Sequence, residues 1–229
     1  MAGDQAHTAG EVQAELEAVL SGCRASHDTL VSTLSNLDDT AVRGASRLER
    51  WTVGHVMTHL ARNADSHTRM LTAALNGEAV EQYAGGREER AGAIEAGSRR
   101  SAAELLDDTL RSITELESAW VAMTPVAWGG NGLSHGRPWP CRAMPYFRWR
   151  EVEIHHVDLG TGYDPDDWPE EYVRRELQLT LATVPGRLAE TTERRRLLAW
   201  LTGRAPTPGE LGLAGWESRP GNYFRGISD

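Results

Sequence analysis

Apolar residues recur at helical spacing in four long stretches of this chain, and that repetition constrains the fold more than any other feature does. In 11–36 and just beyond, Val12, Leu16, Val19, Leu20, Cys23, Leu30, Leu34 and Leu37 mostly keep the three-to-four spacing of one helix face, until Asn36-Leu37-Asp38-Asp39 breaks it. Thr52 is placed to cap a second helix over 53–76. Val53, Val56, Met57, Leu60, Ala64, Met70 and Leu71 are its apolar positions, and Asn76-Gly77 ends it. Ser101, with Glu104 three residues on, caps a third over 101–122. Its core face reads as Leu105, Leu106, Leu110, Ile113, Leu116 and Trp120. The fourth starts near Arg142 or Pro145 and runs to Leu159, with Gly160 as the residue that closes it. Four such helices joined by two long connections predict a mainly α fold, a four-helix bundle.

The connections are of a different character. Residues 78–100 are polar, with Gly85-Gly86 and the charge cluster Arg87-Glu88-Glu89-Arg90, and suit a short helix flanked by loops. Residues 124–140 are rich in Gly, Pro and Trp and read as an irregular excursion holding a small hairpin. The linker Asp164-Pro165-Asp166-Asp167-Trp168-Pro169 separates a bundle domain, 1–163, from a short C-terminal domain, 164–229. That second part is mostly helical or α/β, with helices expected at 170–184 and 191–203. One short strand is expected near Leu211-Leu213, in a Gly- and Pro-rich tail.

Bulk properties remove several classes of function. No run of 18 apolar residues exists, so no membrane span is expected. The polar start, Met1 to Gly10, does not resemble a signal peptide, and a cytoplasmic location is the expectation. Cys23 and Cys141 form no CxxC pair and are expected as free thiols. A net charge of -9 argues against nucleic-acid binding, which rests on neutralising phosphates. All 24 basic residues are arginine, so lysine Schiff-base and lysine general-base chemistry are unavailable.

The chemistry-bearing residues sit on the second and fourth helices. Glu151, His155 and Asp158 stand at i, i+4 and i+7, on one narrow stripe. A carboxylate and an imidazole one turn apart suit a divalent metal, with a further ligand from elsewhere. The competing reading is an ion-pair network. The helix start carries Tyr146, Phe147 and Trp149, buried charges need partners, and Arg148 and Arg150 are at hand. Upstream, His55 and His59 lie one turn apart, but the segment reads His-Val-Met-Thr-His and lacks the glutamate of a zincin. One of these histidines, with Glu151 and His155, makes a two-His-one-carboxylate set that leaves room for water or substrate. No GxSxG and no phosphate-binding loop occurs.

Two segments carry a family resemblance. Arg50-Trp51-Thr52-Val53 followed by His59-Leu60-Ala61-Arg62-Asn63-Ala64 resembles the second-helix signature of the DinB-like metal-binding bundle proteins. Arg148 to Gly160 resembles the fourth-helix signature of the mycothiol-dependent maleylpyruvate isomerase branch, and the interval from His59 to Glu151 is similar too. As an architecture the resemblance covers roughly 11–160. It implies a DinB-like four-helix bundle with His59, Glu151 and His155 as ligands of a divalent metal, zinc being the expected one. It implies Asp158 as an active-site acid just past them. Gly203-Arg204 is similar to a pair that places an arginine at the isomerase's active site, so Arg204 is the second catalytic candidate. His55, Asn63 and His156 receive no ligand role. The chain departs from the isomerase pattern after the bundle, where it is shorter and shows little strand pattern.

The resemblance further implies mycothiol as cosubstrate and a small electrophilic or carboxylate substrate, in a monomer or homodimer. In the isomerase reaction the thiolate adds to the conjugated cis double bond, the resulting single bond rotates, and the thiol leaves. Asp158 would orient a ligand or shuttle a proton, and Arg204 would pair with a substrate carboxylate. Three readings stay open at this point: the isomerase, a mycothiol S-transferase for detoxification or natural-product assembly, and a non-catalytic metal-stabilised module.

Overall fold

The computed structural model describes residues 8–188, 190–205 and Leu211. Two compact units divide between Pro169 and Glu170. The first rests on four long helices: α1 (Ala9–Leu34), α3 (Val53–Leu75), α5 (Ala102–Ala122) and α7 (Met144–Asp158). Shorter helices, α2 (Asp39–Arg43), α4 (Gly86–Gly97) and α6 (Pro125–Trp128), lie in the connections.

Local chemistry sets where these helices begin. Thr8 with Glu11, Thr52 with His55 and Ser101 with Glu104 form reciprocal capping boxes at α1, α3 and α5. In α3 the returning partner is unusual: His55 Nδ1 accepts from the Thr52 backbone N–H at 3.1 Å. Asp38, which breaks the α1 pattern, does so by starting α2; its Oδ1 accepts from the N–H groups of Thr40 and Ala41 at 2.9 and 2.8 Å. Gly160 follows α7 with φ of 69°, the left-handed conformation that closes a helix.

α3 packs on α5 and α7, and α1 packs on α7 and α5, which closes a four-helix ring. Leu30, Leu34, Val42, Val56, Met57, Leu60, Leu105 and Val152 fill its centre. The α5 face differs from the expected one. Leu110 is 40% exposed, whereas Thr109 and Ser112 are fully buried. The core stripe runs 105, 109, 112, 116, 120, and both hydroxyls are satisfied within the helix, Thr109 donating to Leu105 O and Ser112 to Thr109 O.

α1 and α7 approach closely at Gly22. A Cβ there would stand 2.3 Å from the Trp149 ring. The buried indole also donates to Ser26 Oγ at 2.7 Å, which fixes the ring in place. Gly22→Val is therefore expected to lower the unfolding free energy by about 1–3 kcal/mol through overpacking, read from the urea midpoint. Wild-type stability in that variant would contradict the close approach.

The excursion after α6 is a hairpin of β1 (Asn131–Ser134) and β2 (Arg137–Pro140), paired antiparallel with Ser134 opposite Arg137. His135 and Gly136 have φ of 53° and 73°, the two-residue turn whose twist matches paired strands. In the second unit the described helices are α8 (Glu170–Arg187) and α9 (Thr191–Leu201). The strand expected at 211–213 falls outside the described residues, Leu211 apart. Among the described residues no helix is long and apolar enough to cross a membrane. Cys23 and Cys141 are both buried and unpaired.

Candidate metal centre

Packing of α3 against α7 sets one buried histidine against the polar stripe of α7. His59 Nε2 lies 3.0 Å from Glu151 Oε2. His155 Nε2, one turn along from Glu151, lies 3.5 Å from the same oxygen. The three ligand atoms all fall within 4.8 Å of one another. Ligands of a tetrahedral ion with bonds near 2.05 Å stand about 3.3 Å apart, so two of the three separations already suit such an ion. Two imidazoles and one carboxylate are also a donor set that zinc and other borderline divalent ions accept.

The charges are strongly organised. Burial, and then the positive charge of His155, lowers the His59 pKa to about 4, so its ring is neutral. Burial alone would raise the Glu151 carboxyl, but hydrogen bonds from His155 and His59 outweigh it and hold it well below the usual carboxylate range. Burial likewise opposes charge on His155, yet the Asp158 and Glu151 carboxylates win and lift its pKa to about 9. Asp158 Oδ2 accepts from His155 Nδ1 at 2.8 Å, which turns Nε2 toward Glu151. A carboxylate on the far nitrogen is how ligating histidines are commonly oriented.

His55 and His156 are engaged elsewhere. His55 is committed to the α3 cap, and its Nε2 meets Glu95 Oε2 at 3.2 Å. His156 stacks on Tyr163 at 3.7 Å and bonds to Thr33 Oγ1. Asn63 accepts from Arg148 Nη1 at 2.8 Å, and Arg148 also donates to Leu60 O and His27 Nε2. Arg150 lies over the faces of Tyr146 and Phe147. Arg204 belongs to the second unit, where its Nη1 donates to Thr202 O.

Two neighbours of the site escaped the sequence reading. Arg90, on α4, donates from Nη2 to His59 Nδ1 at 3.0 Å. Trp51 sets its ring edge-on to His59 at 5.8 Å. Arg90 stood in the charge cluster of a polar connection with no role assigned to it, and the packing of α4 on α3 brings it to His59. Trp51, beside the Thr52 cap, lay in the quoted signature but gave no sign of a role at the imidazole.

Known proteins resemble the first unit. The family model described as the mycothiol maleylpyruvate isomerase N-terminal domain matches residues 23–160. The crystal structure of the mycothiol-dependent maleylpyruvate isomerase is similar, at 32% identity and a TM-score of 0.66, over 69% of this chain and 66% of that one. A crystal structure of a histidine-to-alanine mutant under the same name matches at 31% identity with the same TM-score and coverage. The likeness thus spans slightly less than two thirds of those proteins' own length. A search of the curated proteins gave no match.

Proposed function

From the chain's membership of the mycothiol maleylpyruvate isomerase N-terminal domain family, to which it belongs, we propose a metal-dependent enzyme that uses mycothiol on a small unsaturated carboxylate. One observation carries the reading: His59 of α3 meets Glu151 and His155 of α7, about ninety residues on in the chain, with all three ligand atoms within 4.8 Å in a matching fold. Under this reading those three residues hold a divalent ion, expected to be zinc. When bound, that ion supplies a local positive field that favours the thiolate form of a thiol.

The chain's own residues do the rest. Asp158 holds the proton on His155 Nδ1 and so keeps Nε2 aimed at the ligand position. Glu151 stays anionic and balances charge in a buried setting. Arg204 is proposed to pair with a substrate carboxylate through its guanidinium fork. The isomerisation forms one C–S bond as the double-bond pair moves into the conjugated carbonyl. Rotation follows about the new single bond, and the pair then returns and expels the thiolate. No atom is gained or lost.

Incubating the metal-loaded protein with mycothiol and maleylpyruvate should yield fumarylpyruvate, followed by absorbance. No turnover at full metal loading would sink the isomerase reading. A second reading, S-transfer of mycothiol to an electrophile, would use the same thiolate. The family match ends at residue 160, and the relatives' remaining length is not covered. Thiol consumption by an electrophile, without isomerisation, would select it. A metal-stabilised module without catalysis predicts neither activity.

A further inference from the structure

Arginine carries five N–H donors and no acceptor. The hydrogen bond from Arg90 Nη2 therefore requires a lone pair on His59 Nδ1. With the ring neutral, the proton sits on Nε2, where it faces Glu151 Oε2 at 3.0 Å. That tautomer is the wrong one for a metal ligand. Coordination through Nε2 needs a lone pair there, which moves the ring proton to Nδ1 with no change in ring charge. Nδ1–H and the Arg90 guanidinium are then two donors pointed at each other. A divalent ion on the other side of the ring adds cation–cation repulsion.

Apart from His59, Arg90 is held by Tyr83, whose hydroxyl it approaches. Among the described residues it has no carboxylate partner, and its guanidinium lies 5.9 Å from the centre of the Tyr83 ring. It is half-buried, on the same imidazole that Trp51 meets edge-on at 5.8 Å. An arginine displaced from His59 in that position has its donors free for an anion, and a planar guanidinium fits a carboxylate in bidentate fashion.

We propose that Arg90 is a carboxylate-binding residue of this centre whose guanidinium is exchanged between His59 and the substrate, so that metal loading and anion capture promote each other. The inference rests on the metal-site reading given above and extends it: the coupling is reciprocal, because whatever draws Arg90 from His59 frees the tautomer that the metal needs.

The test is zinc affinity by chelator competition in the wild-type protein, Arg90→Gln and Arg90→Met, each with and without fumarate as a non-reacting dicarboxylate probe. Circular dichroism melts check that each variant folds. Glutamine offers an oxygen to Nδ1–H, so Arg90→Gln is expected to bind zinc about 10- to 100-fold more tightly than wild type, the range seen for partners of metal-bound histidines. Arg90→Met should fall between the two. Fumarate should tighten zinc binding to wild type and leave Arg90→Met unchanged. Equal zinc affinity in all three proteins, or a fumarate effect that survives Arg90→Met, overturns this proposal alone. Failure of all three to bind zinc overturns the metal centre and the proposal with it.

Discussion

Glu151→Gln is expected to weaken zinc binding by more than about 100-fold, beyond what losing a histidine's outer partner costs. Its Oε2 is the shared point of the site, 3.0 Å from His59 Nε2 and 3.5 Å from His155 Nε2. The amide keeps the shape but loses the charge, and a neutral carboxamide is a poor substitute ligand for a divalent ion. The variant should still fold, because the apolar centre of the bundle lies in Leu30, Met57, Leu60, Leu105 and Val152. Metal content after gel filtration, with the melting temperature measured alongside, checks both points. Stoichiometric zinc in Glu151→Gln would remove this residue from the ligand set.

Acid should unfold the protein more readily than its net charge suggests. His27, His67 and His156 are buried and stand outside the ligand set. Burial lowers the pKa of His27 to about 4, against the pull of Glu117, and that of His156 to about 4. Burial, then the nearby Arg148 charge, lowers His67 to about 3. Unfolded, each ring takes a proton near its ordinary 6.5. Below that pH the unfolded chain binds more protons than the folded one, so stability present above 6.5 falls as pH drops toward 4. Each ring contributes on the order of 1 kcal/mol per pH unit, and three together several kcal/mol between pH 6.5 and 4. In the metal-free protein His155 runs the other way. Its pKa is raised to about 9, so its contribution is full below 6.5 and is lost as pH rises through 9. Urea unfolding at pH 7 and pH 5 measures the difference, and His67→Phe should flatten it by one ring's share. A stability that does not change between these pH values would refute the assignment of neutral buried rings.

The parts that were legible in the sequence are those governed by neighbours along the chain. The caps at Thr52 and Ser101, the stop at Gly160 and the stripe Glu151–His155–Asp158 all depend on contacts within one or two turns, and spacing reveals them. Leu110 misled because composition favoured it over Thr109, while the helix hides the threonine hydroxyl against its own backbone. His67 carries two polar atoms into the interior, against the expectation for its residue type, and pattern gives no warning of it. The bond from Arg90 to His59 spans 31 residues and exists only after α4 has docked. Pairing the histidine of α3 with the carboxylate of α7 needed the family resemblance, since spacing ranked His55 and His59 alike.

The cap at Thr52 has a mechanical side. His55 closes the start of α3 with one ring nitrogen and holds Glu95 of α4 with the other. α4 is the segment that carries Arg90. One imidazole is therefore a fulcrum, seating the helix that bears His59 and tethering the strap that bears its arginine. Slackening that tether would change the reach of the guanidinium while leaving His59, Glu151 and His155 unaltered.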